Sequence, residues 1–343
     1  MIPDLVIVGG GPVGLATAIA ARLRGLETVV LESRTGLIDK ACGEGLMPGA
    51  VAVLARLGVD PPGVPITGFL YADARRSVAH RFPGSPGRGV ERLALHGALA
   101  ARATDLGIEV RRAKVAGLEQ DADGVTVAGI RARYAVGADG LHSAVRRAVG
   151  LARPAAGRDR YGLRRHFAVA PWTDLVEVHW RAAFELYVTP VRADLVSVAV
   201  LGGRGLDLAA ALASCADVAA RLAGASAADP VRGAGPLRQV TVRRVAGRVA
   251  LVGDAAGYVD ALTGEGLAVG LAGAERVAAA VAGGDLRGYD RDWSRATRPH
   301  RLATEAVLRL AASPVRGSVV PLARAVPPLF GAVVDVLAKP VAR

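Results

Sequence analysis

The stretch LVIVGGGPVGLATAIAARLRGLETVVLE, Leu5 to Glu32, decides the fold. Ile2–Val8, apolar from Leu5 onward, reads as a buried strand. Gly9–Gly14 is a tight loop with the spacing G-x-G-x-x-G. Leu15, Ile19 and Leu23 recur every fourth residue, which gives a helix with one apolar face. Gly25 is placed to stop that helix in a left-handed conformation. Thr28–Leu31 is the next strand, so the stretch is a strand–helix–strand unit with a right-handed crossover expected.

That unit also carries chemistry. Gly9 allows the tight turn, Gly11 lets the backbone approach a pyrophosphate, and Gly14 lets helix and strand pack closely. Pro12 and Val13 open the helix, whose N-terminus offers free N–H groups and a partial positive charge. Glu32 closes the second strand 18 residues after Gly14, where a carboxylate can hold the ribose hydroxyls of an adenosine. Its charge disfavours a ribose 2′-phosphate, so the site suits FAD or NAD over NADP.

Two further stretches extend the pattern. In GADGLHSAVRR, Asp139 and Gly140 end a strand and Ser143 can cap the helix that follows. In GDAAGYVDALTGEGLAVG, Gly253–Gly270, Asp254 follows the apolar run Val249–Val252, and Gly264-Glu265-Gly266-Leu267 opens a helix. Asp254 can accept hydrogen bonds from a polyol such as ribityl. The N–H groups around Glu265, Gly266 and Leu267 can face the electron-rich edge of a flavin ring. Together the sites suit one long cofactor: adenine at Glu32, pyrophosphate at Gly11, ribityl at Asp254, flavin at Gly264.

Outward from these sites, the chain reads as an α/β protein. A Rossmann-like cofactor-binding part is interrupted by a β-sheet substrate module and followed by a helical C-terminal tail. The expected boundaries are 1–66, 88–160 and 239–290 for the cofactor, 67–87 and 161–238 for the substrate, and 291–343 for the tail. Phe69–Phe82 reads as a strand pair. Phe167–Ala170, Leu175–Trp180, Phe184–Pro190 and Leu195–Leu201 read as strands of a separate sheet. Ile108–Arg112, Gly117–Gln120 and Val125–Val127 read as a small antiparallel insert, and Leu206–Leu222 as one helix.

Composition narrows the classes. The net charge is +12, and 40 of the 43 basic residues are arginine, scattered rather than clustered. No basic stripe carries interleaved aromatics, so nucleic acid is not an expected partner. The two cysteines, Cys42 and Cys215, form no disulfide framework, and the six histidines no metal pattern. No metal site is expected, and a reducing, cytoplasmic setting is. The N-terminus shows no charged leader. Ser318–Ala338 is the most apolar stretch, but Arg324, Asp335 and three prolines interrupt it. It is open to core packing, to covering an apolar substrate, or to peripheral membrane contact.

The motifs VIVGGGPVGL, ERLALHGAL, GADGLHSAVR and LVGDAAGYVDALTGEGL stand in order between residues 5 and 270. In this the chain resembles the p-hydroxybenzoate hydroxylase-like FAD proteins, which include single-component flavoprotein monooxygenases and geranylgeranyl reductases. The resemblance implies that Arg92 contacts FAD and that Val115 meets the adenine through its backbone. It also implies that Asp139-Gly140 serves both FAD and a transient NAD(P)H donor. Relatives often carry proline where this chain has Ala261, so a looser loop is expected beside the flavin.

Three chemistries stay open at this point. One is hydroxylation of an apolar or aromatic small molecule with molecular oxygen. Another is reduction of isoprenoid or other double bonds. The third is a flavin-bound protein that only holds a ligand. The loop KACGEGLMP, Lys40–Pro48, resembles that of the prenyl reductases, whose Tyr-x-Trp-x-Phe-Pro signature is missing; FELYVTPV stands in its apparent place. Cys42 and Tyr187 are the candidates to face the substrate. The tryptophan-rich loop and lysine of flavin halogenases are not evident.

Overall fold

The structure is a computed structural model that describes residues 2–157 and 159–341. Leu5–Val8 lies inside a six-stranded sheet. Its order is Val245–Ala246, Val249–Leu251, Tyr134–Gly137, Leu5–Val8, Thr28–Glu32, Glu109–Arg112. All neighbours run parallel except the first pair. Leu5–Val8 and Thr28–Glu32 are buried at every residue, because helices cover both faces of a parallel sheet and leave no reason for polar alternation. The helix Pro12–Arg22 packs on Arg92–Asp105 and on Gly266–Ala282. Gly25 ends the first helix with φ +79°, as its sequence position requires.

A second sheet has the order Ser226–Ala227, Tyr161–Ala168, Leu195–Gly202, Phe184–Arg192, Leu175–Trp180, Gly68–Ala72, Ser77–Arg81, with Arg232–Ala234 also on Tyr161–Ala168. Neighbours are antiparallel except Leu175–Trp180 against Gly68–Ala72. Its central strands are apolar on both faces, and the period of two sorts them. Leu186, Val188, Val198 and Val200 pack under the helices Leu208–Ala213 and Ala216–Arg221. Tyr187, Ala199 and Leu201 face the other way, with Val319, Val320, Phe330 and Val334 of the C-terminal helices in the same apolar cluster. Those helices are Tyr289–Ala312, Val319–Ala325 and Pro327–Ala338.

Three local expectations change. Glu109–Arg112 is an edge strand of the parallel sheet, paired with Thr28–Glu32, and not part of the small insert. That insert is Leu118–Gln120, Val125–Val127 and Ile130–Ala132. All four residues of the edge strand are exposed, so no apolar pattern marks its sheet. Leu206–Leu222 is two short helices, broken where buried Cys215 starts the second. The strand expected at Phe167–Ala170 starts earlier, at Tyr161.

Candidate functional site

The carboxyl ends of Leu5–Val8, Thr28–Glu32 and Tyr134–Gly137 meet the second sheet across a cavity of about 500 Å³. This is where ligands sit in open α/β sheets. Its walls include Gly9, Gly11, Pro12, Val13, Glu32, Arg92 and Val115 from one end. Asp139, Gly140, Asp254, Gly264, Gly266 and Leu267 continue it, and Cys42 and Tyr187 close the far side. Of the residues singled out in the sequence, Gly14 and Glu265 do not line it.

Gly14 has a packing role. A Cβ there would lie 1.8 Å from the Gly9 carbonyl oxygen, so only glycine lets helix and loop touch. Gly9 has φ +107°, and a Cβ on it would strike the Ala138 carbonyl at 2.5 Å. The Glu265 carboxylate turns from the cavity to the hydroxyls of Thr263 and Thr304, and burial raises its pKa. Gly266 next to it lines the wall under Tyr258, whose ring lies 2.9 Å from where a Cβ would be.

Glu32 sits at the glycine-loop end of the cavity and is 7% exposed. Its carboxylate accepts the Gly10 N–H at 2.8 Å and the Arg34 N–H at 2.9 Å, with Arg34 Nε at 3.0 Å. Burial alone would raise its pKa, but these bonds outweigh burial and hold it at about 2. At the other motif, no described residue hydrogen-bonds to the Asp254 carboxylate; burial raises its pKa against the pull of Lys40, Arg92 and Arg146. Burial lowers the pKa of Lys40, whose ammonium lies 3.2 Å from where a Cβ on Gly140 would sit. The Asp139 carboxylate is engaged by the Ser143 hydroxyl at 2.5 Å and the Ala144 N–H at 2.7 Å, while Ser143 Oγ accepts the Arg146 N–H as the helix cap.

Several residues that hold the site were not singled out as site residues in the sequence. His96 accepts the Ile38 N–H at Nδ1, so Nε2 carries the proton and donates to the Gly10 carbonyl at 2.8 Å. Arg146 donates to the carbonyls of Asp254, Ala255 and Leu141 and to Gln239, locking the second motif to the third. Arg146 stood in the quoted motif three residues after Ser143, but its carbonyl partners lie up to 109 residues away and leave no local signal. Glu44 has a left-handed φ of +59°. Its carboxylate takes the Arg92 N–H at 2.7 Å and His166 Nε2 at 2.7 Å. His166 and Arg164 both reach Asp229, and Arg164 reaches Asp39. This buried network ties the Cys42 loop to the second sheet.

At the second-sheet side of the cavity, the Tyr187 hydroxyl donates to the Leu262 carbonyl at 2.7 Å, so its ring rather than its O–H shapes the wall. Cys42 Sγ accepts the Glu44 N–H at 3.4 Å, and burial raises the thiol pKa. Phe69, Val176, Ala199 and Leu201 complete an apolar chamber.

The sites fit a flavin dinucleotide. A carboxylate stands for the ribose and a glycine loop at a helix start for the diphosphate. Arg92 on the same wall leaves its Nε buried without a partner. Residues 3–193 match the family model described as FAD binding domain. The chain belongs to the FAD-binding domain family. It is 36% identical over 168 residues to rifampicin monooxygenase of Streptomyces venezuelae, which covers 44% of this chain and 34% of that protein. It is 29% identical over 299 residues to dialkyldecalin synthase of Streptomyces rugosporus, covering 79% of this chain and 63% of that one. The chain thus spans about a third of the length of the first curated relative it matches. In fold it is similar to p-nitrophenol 4-monooxygenase of Pseudomonas putida, with a TM-score of 0.78 at 21% identity over 98% of both chains. The flavin-dependent brominase Bmp2 gives 0.85 at 16% identity over 100% of this chain and 95% of that one, which speaks for the fold alone. FAD is the cofactor of this site.

Proposed function

We propose that this protein is an FAD-dependent monooxygenase. It hydroxylates an apolar or aromatic small molecule, with NAD(P)H as transient electron donor and molecular oxygen as co-substrate. The observation that carries this is the single cavity, polar and glycine-lined at one end and closed by Phe69, Val176, Tyr187, Ala199 and Leu201 at the other. Bound FAD supplies the redox chemistry; the chain supplies place and exclusion of water. The free N–H groups of Gly11, Val13 and Gly14 would receive the diphosphate, with Gly9 making the turn and Pro12 opening the helix. Glu32 receives the ribose hydroxyls, and the Val115 backbone the adenine. Arg92 and the Asp139-Gly140 turn flank the diphosphate, and Asp254 accepts from the ribityl chain. Gly264 lines the wall beside the flavin, and the N–H groups of Glu265, Gly266 and Leu267 face it from a helix start, where they favour negative charge. Cys42 and the Tyr187 ring bound the substrate. The same reading keeps 1–66, 88–160 and 239–290 for the cofactor, 67–87 and 161–238 for the substrate, and a cytoplasmic setting.

The relatives support this: several carry monooxygenase or hydroxylase names. One is named digeranylgeranylglycerophospholipid reductase 1, at 32% identity over 167 residues. Cys42 favours that second reading, because a thiol kept protonated beside the cavity can give the proton that alkene reduction consumes. One experiment separates them. FAD-loaded protein is turned over with NADPH and ¹⁸O₂ on a panel of phenols and a polyprenyl chain. Label in a phenolic product supports hydroxylation. A reduced polyprenyl chain without label moves the assignment to reduction. If neither product forms and NADPH never bleaches the flavin, the oxidoreductase reading fails.

A further inference from the structure

The C-terminal helices carry a face the proposed reaction does not use. Among the described residues twelve large apolar side chains are exposed, and five lie between residues 302 and 329: Leu302, Val315, Leu322, Val326 and Leu329. Arg324 to Leu329, the corner between two helices, is exposed at every residue. A run of that kind marks a contact surface more often than an idle one. Pro314–Ala325 and Pro327–Ala338 are together apolar enough for a membrane span but meet at 100°, and among the described residues no single helix is long and apolar enough to cross. Their inner sides are also committed. Phe330 packs on Tyr71 at 4.8 Å between ring centroids, and Asp335 pairs with His80 at 2.8 Å. The segment therefore lies on the protein and offers its outer corner.

The preceding helix adds charge. Arg291, Arg295, Arg298, Leu302, Ala306 and Arg309 are exposed at steps of three or four residues and so form one stripe. It holds four arginines; Arg309 pairs with Glu305 at 3.6 Å, while Arg291, Arg295 and Arg298 pair with no acid among the described residues, and Asp292 stands beside the first turn. From Ala306 to Val334 the chain has no Asp or Glu. Exposed arginines and protruding leucine and valine on successive C-terminal helices suit a surface that is anionic outside and apolar beneath. Nucleic acid would use the arginines but gain nothing from Val326 and Leu329.

We propose that this face docks on an anionic lipid bilayer, with the Val326–Leu329 corner in the headgroup layer and the arginine stripe on lipid phosphates. The inference stands apart from the reaction assigned above. It does place the docked face on the module that forms the substrate wall, since Phe330 and Val320 share one apolar cluster with Phe69 and Tyr187.

The test is flotation of the FAD-loaded full chain with two kinds of vesicle. One is equal parts phosphatidylglycerol and phosphatidylcholine, the other phosphatidylcholine alone. Flotation is expected with the first only, and salt should release it. Val326→Glu with Leu329→Glu should leave the protein at the bottom with flavin absorbance unchanged. Arg295→Gln and Arg298→Gln should each weaken binding about fivefold. No flotation, equal flotation with both vesicles, or full flotation of the corner variant each overturns the proposal. A wild-type dimer that the corner variant makes monomeric, with no vesicle binding, would give the face to a second copy. Duplex DNA binding without flotation would give it to nucleic acid.

Discussion

Replacing Glu32 with glutamine removes one charge and little volume. The wild-type carboxylate takes backbone N–H groups from Gly10 and Arg34 and the Arg34 guanidinium. These hold its pKa at about 2, below an ordinary 4.5. A drop of that size favours the charged form by about 3 kcal/mol. Arg34 is 48% exposed, so water screens the pair, and a folding share of about 1–2 kcal/mol is expected. Because the folded pKa lies below the unfolded one, this share is full above about 4.5 and fades as pH falls toward about 2. Urea unfolding of the apoprotein should show Glu32→Gln less stable by about 1–2 kcal/mol at neutral pH, with the gap narrowing in acid. A gap that stays constant into acid would refute the electrostatic account. The same variant should weaken FAD binding about 10- to 100-fold, as loss of charge-assisted bonds implies. Quenching of flavin fluorescence on titration into apoprotein reads this. An unchanged Kd would remove the adenosine role of Glu32.

Asp254→Ala should lose FAD on gel filtration while keeping its circular dichroism; full retention of yellow colour would end the ribityl assignment. His166 behaves oppositely to Glu32. Burial lowers its pKa, but Glu44 and Asp229 outweigh this and raise it, so its contribution is full below about 6.5 and fades as pH rises through the folded value. The melting temperature of His166→Gln should therefore approach that of wild type as the medium turns alkaline; a difference that widens instead contradicts the Glu44–His166–Asp229 network. Cys42 should react with N-ethylmaleimide far more slowly than free cysteine, since its thiol stays protonated, and mass spectrometry showing rapid labelling of the FAD-loaded protein would mean the loop opens.

What could be read in the sequence was local. Gly14 is required by its contact with Gly9 within the first strand–loop–helix and Gly9 by its own left-handed turn, and the apolar run before them has strand length whatever packs on it. The parallel order and the glycine contacts follow from those few residues. Tyr161–Ala168 was harder. It alternates, with Gly162, Arg164 and His166 buried, and two of these are charged or titratable residues that a pattern reader assigns to solvent. They are buried because Glu44, Asp39 and Asp229 come to meet them, from positions more than 60 residues away in sequence.

The same distance explains why the site's supports were missed while most of the cavity lining was legible. Much of that lining is glycine, and a glycine pattern announces where a backbone is bare. The supports are side-chain pairs with no fixed spacing: His96 under Gly10, Arg146 under Asp254, Glu44 between Arg92 and His166. Glu44 shows the cost of this arrangement. It holds a left-handed φ, which a non-glycine residue adopts only when its surroundings insist. Two anchors insist here, one from the cofactor side and one from the substrate sheet. Cys42, two residues away, is thus set by both halves of the molecule. A change in the sheet at His166 should therefore be felt at the cavity wall beside the flavin, although His166 does not line the cavity.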